Sequence, residues 1–136
     1  MPLNDQNIFS DLAKYKKKIA LYENDNQIYT YGDIIEFGEK FKFLNKKKSL
    51  ILILSQNSYE TISAYINFIK YNQTVFLLSQ ELEEKFFLNI ISKYKPKFIF
   101  LSKKSNFKKF KKLYKVKCSL NKNLLYELKK NKNYQI

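Results

Sequence analysis

The chain has 136 residues, enough for one domain around a single core, and at 45% hydrophobic and 28% charged it is globular in composition rather than disordered. It has no histidine, and its single cysteine, Cys118, can form neither an intramolecular disulfide nor a thiolate zinc site. The commonest general base and the commonest metal ligands are therefore missing, which argues against a self-contained hydrolase or metalloenzyme.

The formal net charge is +14 and all 26 basic residues are lysine. The charge is uneven: residues 1–92 hold 11 lysines and 11 acids, whereas residues 93–136 hold 15 lysines against the single acid Glu127. Lysine, asparagine, isoleucine, tyrosine and phenylalanine are abundant while glycine and arginine are scarce, the pattern of codons drawn from an AT-rich genome. That origin is the first explanation for the excess charge. The lone cysteine suits a reducing compartment. Asp5 and Asp11 interrupt any N-terminal targeting signal, and the longest aliphatic run, Leu50–Leu54, is far short of the roughly 20 apolar residues a membrane span needs. The expected location is the cytoplasm.

In chain order, residues 1–14 read as an N-terminal extension or helix, residues 15–120 as an α/β subdomain, and residues 121–136 as a lysine- and asparagine-rich tail. Lys18–Tyr22 and Gln27–Thr30 are β-prone and flank the polar turn Glu23–Asn26, which predicts a hairpin. Thr30 with Asp33 three residues on has the form of a capping box. The helix it opens carries Ile34, Ile35, Phe41 and Leu44 and ends near Asn45. Ser49–Leu54 is apolar on both faces, as a covered parallel strand requires. Asn57 followed by Glu60 predicts a second cap, and Tyr59, Ile62, Ile66 and Ile69 recur at helical spacing through Lys70.

Thr74–Leu78 is the next strand, after which Ser79 is placed to cap a helix with Glu81, Glu83 and Glu84 in its first turn and Lys93 and Lys95 in its last. Its expected buried face is Leu82, Phe86, Phe87, Ile90 and Ile91, and Pro96 stops it. Lys97–Leu101 is a third apolar strand. Phe107, Phe110, Leu113 and Tyr114 mark a short helix, and Tyr114–Leu120 alternates as an edge strand with lysines on its wet face. One short helix is expected in the tail around Leu124–Leu128. The fold class is thus α/β: an N-terminal hairpin followed by alternating helices and mainly parallel strands.

Ligands of such sheets bind beyond the carboxyl ends of the strands, here Ser55-Gln-Asn57, Ser79-Gln80 and Ser102-Lys103-Lys104. None is glycine-rich, and with only Gly32 and Gly38 there is no dinucleotide or P-loop fingerprint. No catalytic, cofactor-binding or metal-ligating residue is assigned. Several groups have a structural reading that outweighs a chemical one: Thr30 and Asp33 as a cap, Asn57 and Ser58 as a cap rather than a substrate contact, and Glu81, Glu83 and Glu84 as dipole compensation. Cys118 reads as a small inward-facing residue rather than a nucleophile. The basic segment Lys103–Lys117, interleaved with Phe107, Phe110 and Tyr114, fits single-stranded nucleic acid through phosphate neutralisation and base stacking. Its aromatics also fit one core-facing stripe, and the absence of arginine argues against base readout.

The order of elements and several strings resemble the N-terminal part of the AMP-forming adenylating superfamily: acyl-CoA synthetases, luciferases and the adenylation domains of peptide synthetases. Ile19-Ala20-Leu21 matches the family's "iAl" strand, and Thr30-Tyr31-Gly32-Asp33-Ile34 its Thr-Tyr-x-Glu-Leu helix start. Leu50–Leu54 followed by Asn57-Ser58 matches its apolar strand and Asn-Ser helix opening. Ile69-Lys70-Tyr71-Asn72-Gln73 leading into Val75-Phe76-Leu77-Leu78 matches its "lKaGa" turn and "vPl" strand, with Asn72 for the usual glycine and Leu77 for the usual proline. The resemblance covers roughly residues 15–102.

It implies an N-terminal subdomain fragment of a ligase that converts a carboxylate and ATP to an acyl-adenylate and then a thioester. The family's phosphate-binding loop, ribose-binding aspartate and catalytic lysine are expected after Tyr134-Gln-Ile136, so the chain by itself is expected to be inactive and to hold no cofactor. ATP, Mg and coenzyme A are implied only for a full-length parent. The implied partner is the remainder of the ligase, and an excised piece would leave apolar surface open to self-association. The alternative is a stand-alone basic α/β module that binds nucleic acid or another anionic partner.

Overall fold

A computed structural model of the chain describes residues 8–24 and 26–130. The described residues form two compact units, one running through Lys48 and including Asn57–Val75, the other made of Ser49–Gln56 and the chain from Phe76 onward. The outer parts of the predicted extension and tail, residues 1–7 and 131–136, and Asp25 of the predicted turn lie outside the described residues.

In the first unit the predicted hairpin is formed by β1 (Ile19–Asn24) and β2 (Gln27–Thr30), paired antiparallel with Ile19 opposite Thr30 and Tyr22 opposite Ile28. Helix α1 (Tyr31–Gly38) opens with the predicted capping box: the Thr30 amide donates to Asp33 Oδ2 at 2.8 Å and the Asp33 amide to Thr30 Oγ1 at 3.1 Å. It continues as a 3-10 helix over Glu39–Lys46, and of the expected stripe Ile34, Phe41 and Leu44 are buried while Ile35 is half-buried.

Helix α2 (Tyr59–Lys70) departs from expectation twice. Its cap is Ser58 rather than Asn57, since the Thr61 amide donates to Ser58 Oγ at 3.2 Å. Its buried face is not the isoleucine stripe. Ile62 is 40% exposed and Ile66 and Ile69 are half-buried, while Thr61, Ser63, Ala64, Asn67 and Phe68 are buried. The reason is proximity to α1. Small side chains let the two helices approach, and Asn67 Nδ2 donates to the carbonyl of Ile34 in α1 and to that of Ser63, both at 2.8 Å. The Tyr71 hydroxyl donates to the Gly38 carbonyl at 3.0 Å.

Asn72, standing where the resemblance has glycine, ends α2 in the left-handed region at φ 62. The Asn72 amide donates to Ile69 O and the Gln73 amide to Phe68 O, both at 2.9 Å, which is the paired closure of a Schellman motif. Asparagine tolerates this conformation better than any residue except glycine. Asn72→Ala is therefore expected to cost about 1 kcal/mol while Asn72→Gly is close to neutral. Urea unfolding of both variants checks this, and equal stabilities would contradict it.

The second unit is built on a five-stranded sheet of β3 (Leu50–Ser55), β4 (Thr74–Ser79, its first two residues grouped with the first unit), β5 (Phe98–Ser102), β6 (Tyr114–Ser119) and β7 (Asn123–Leu128), in the order β4-β3-β5-β7-β6. β3 and β5 are parallel and β7 runs antiparallel to both β5 and β6, so the sheet is mixed, with β3, β5 and β6 pointing one way and β7 the other. The source of the difference is β7. A short helix is expected around Leu124–Leu128; instead Asn123–Leu128 pairs with β5 from Phe98–Glu127 to Ser102–Asn123 and closes a hairpin with β6. Long-range pairing on both sides overrides the local pattern of so short a segment.

Between β4 and β5, helix α3 spans Glu84–Tyr94. Ser79 does not cap it: Ser79 Oγ accepts the Glu81 amide in a local turn, so Glu81 and Glu83 precede the helix. Glu84 has a specific task, accepting the backbone amides of Lys108 at 3.0 Å and Lys109 at 3.2 Å. α3 ends at Lys95, left-handed at φ 47, just before Pro96. Its buried residues are Phe87 and Ile91, whereas Phe86 is 52% exposed, contrary to expectation. Phe87 and Ile91 pack with Leu52, Leu54, Ile99, Leu101, Phe110, Tyr114 and Tyr126. The expected short helix at 107–114 is only a 3-10 turn, Lys109–Lys112. A register shift between Val116 and Cys118 breaks the alternation of β6, leaving Val116 exposed and Cys118 half-buried. Among the described residues no helix is long and apolar enough to cross a membrane.

Candidate functional site

The connections of the sheet point to one place. β3 leads through α2 to β4 on one side of it, while β5, its neighbour on the other side, leads away toward β6 and β7. Loops that depart in opposite directions from adjacent parallel strands leave a crevice at the carboxyl ends. Such a crevice is present between the ends of β3, β4 and β5, with a volume of about 220 Å³.

Its walls are built locally. Ser55 Oγ donates to the Leu78 carbonyl at 3.1 Å, tying the ends of β3 and β4 together, and the next residues outward, Gln56 and Gln80, join through their carboxamides. The opposite wall is the loop after β5. There the Lys104 amide donates to Ser102 Oγ at 3.0 Å, the Ser105 amide to the Ser102 carbonyl at 3.0 Å, and the Phe107 amide to Ser105 Oγ at 3.2 Å. These two successive serine turns coil the loop so that residues 104–107 border the crevice. Leu54, Leu101 and Phe107 supply its apolar lining.

Of the strand-end positions expected from sequence, Gln56, Gln80, Ser102 and Lys104 converge on this crevice. Ser55 stands behind the wall, Ser79 serves its own turn, and Asn57 and Lys103 are exposed and do not line it. Ser105 and Asn106 are not singled out by the sequence, and Phe107 is singled out for a short helix and the stacking scheme rather than for this crevice. The signal available for them was the pair of serines three residues apart, each a turn former followed two residues later by an amide it can accept. The described residues lining the crevice offer hydroxyls, carboxamides and one ammonium, and no carboxylate or thiol. Such a set binds through hydrogen bonds and one positive charge. Among the described residues there is also no cluster of acids and cysteines that could hold a metal ion.

A second, more open cavity of about 420 Å³ lies in the first unit beside Tyr29, Phe37 and Tyr59. Tyr29 and Tyr59 stack at 3.7 Å and Phe37 meets Tyr59 edge-on at 5.6 Å. The Tyr59 hydroxyl donates to the Asp33 carbonyl at 2.9 Å, and burial pushes its pKa up to about 12. The phenol is thus protonated at neutral pH and bound to backbone. Asp33 belongs to the capping box, so these groups serve the fold.

The lysines of 103–117 are all exposed, but the stacking scheme for nucleic acid loses two of its three aromatic faces, Phe107 alone of the three being half-buried. Phe110 and Tyr114 are buried, and the Tyr114 hydroxyl donates to the Pro96 carbonyl at 2.6 Å. Compared with family models, curated proteins and solved structures, the chain matches none.

Proposed function

We propose that the chain is the N-terminal subdomain of an AMP-forming ligase of the acyl-CoA synthetase type, a scaffold element that is inactive by itself. The observation that supports this reading is the left-handed Asn72 closing α2, at the position where the family's turn carries glycine. Around it stand the other elements of the resemblance in the same order: a hairpin, a Thr-Tyr helix opened by a capping box, an apolar strand, and a helix opened at Asn57-Ser58. The parent would join a carboxylate to AMP with release of pyrophosphate and then pass the acyl group to a thiol such as coenzyme A. The phosphate-binding and catalytic groups would come from segments outside this sequence.

The test is carboxylate-dependent ATP–pyrophosphate exchange by this chain and by the chain extended with whatever its coding sequence continues into. The expected result is no exchange from residues 1–136 and exchange from the extended protein, whose added sequence begins with a Thr/Ser- and Gly-rich segment. Exchange by the short chain would overturn the scaffold reading. A stop codon followed by an unrelated gene would overturn the ligase.

A further inference from the structure

We propose that the crevice at the carboxyl ends of β3, β4 and β5 binds a phosphate monoester. Its polar lining can donate from both walls. The Ser102 and Ser105 hydroxyl oxygens each already accept a backbone amide, from Lys104 and Phe107, which leaves their O–H protons for a ligand. Gln56 donates to the Gln80 carboxamide oxygen, so the Gln80 amide nitrogen is the end of that pair left to donate. Lys104 adds the positive charge, and among the described residues no carboxylate lines the space to oppose an anion. Glu84, which the same loop does engage, is tied to the Lys108 and Lys109 amides.

Donors on two facing walls suit a tetrahedral oxyanion with three terminal oxygens better than a planar carboxylate with two. Leu54, Leu101 and Phe107 give the ester's organic group an apolar surface, and about 220 Å³ holds a phosphoryl group with a ring-sized body. The place is also the one the strand connections favour for a ligand. The site uses only residues of this chain, so it stands or falls separately from the ligase reading, which the exchange assay tests.

The experiment is a titration of the isotopically labelled chain, followed by amide NMR at constant ionic strength, with phenyl phosphate, inorganic phosphate and benzoate. Saturable shifts are expected at residues 102–107 and at the side-chain amides of Gln56 and Gln80. Phenyl phosphate is expected to bind about fivefold tighter than inorganic phosphate through the apolar lining. Lys104→Gln should weaken it about tenfold, and Lys115→Gln, on the exposed face of β6, should leave it unchanged. Three results overturn the proposal. Shifts could grow without saturation and spread over Lys115, Lys117 and Lys129, as diffuse charge attraction predicts. Benzoate could bind as tightly as phenyl phosphate, which would assign a carboxylate. Binding could also persist undiminished in Lys104→Gln.

Discussion

Phe110→Ala is expected to lower the unfolding free energy of the sheet-bearing unit by about 3–5 kcal/mol. The ring is fully buried and meets three others: Tyr126 at 4.8 Å and Phe87 at 5.6 Å, both edge-on, and Tyr114 at 6.1 Å. α3, β6 and β7 each contribute one of these rings, Phe87, Tyr114 and Tyr126, to the same buried cluster. Exposed Lys108, Lys109 and Lys111 around it are expected to tolerate replacement by glutamine within about 0.5 kcal/mol. The contrast bears on function. If the basic segment held single-stranded nucleic acid by stacking, Phe110→Ala would reduce affinity and leave stability nearly intact. Urea unfolding followed by circular dichroism separates the two, and a loss below 1 kcal/mol would refute the core assignment.

Gly38→Ala is expected to destabilise the first unit by about 2–3 kcal/mol, although helix propensity alone favours alanine by up to about 1 kcal/mol. A methyl at position 38 would come far inside the van der Waals contact distance of Asn67 Oδ1 and Cγ. Asn67 is fully buried and holds the Ile34 and Ser63 carbonyls, so rotating it aside breaks both hydrogen bonds. The mechanism is checked by a double-mutant cycle. Asn67→Ala removes the obstruction, and Gly38→Ala made in that background is expected to cost less than about 1 kcal/mol, a coupling of about 2 kcal/mol. Additive effects in the cycle would mean that the clash is not the cause.

The same pair explains what sequence reading missed in α2. Three isoleucines at helical spacing outweigh an asparagine and a serine in any hydrophobicity pattern, yet the partner helix presents a glycine, and close approach selects small and polar side chains that bond its backbone. Around the crevice the legible part was the strand ends, because a strand's end is marked by where its apolar run stops. The illegible part was the loop after β5, whose shape comes from serine-to-amide bonds rather than from hydrophobic period. Likewise Glu84 read as a dipole-compensating charge in a helix's first turn, and its actual partners, the amides of Lys108 and Lys109, lie 24 and 25 residues away.

What the amino-acid sequence determined by itself was carried by local chemistry. The hairpin, the Thr30–Asp33 box, the three apolar strands, the left-handed tolerance of Asn72 and the stop at Pro96 each depend on residues within a few positions of one another. Tertiary structure alone decided the rest: the mixed sheet, the strand made of Asn123–Leu128, the polar face of α2 and the crevice. Those features depend on pairing partners far along the chain, where the free energy of burying a surface or completing a strand's hydrogen bonds exceeds the small preferences of any short segment. The lysine excess of residues 93–136 was plain from composition, but only the fold shows that, among the described residues, Lys104 is the lysine it brings to the crevice wall while Lys115 and Lys117 lie exposed on an edge strand.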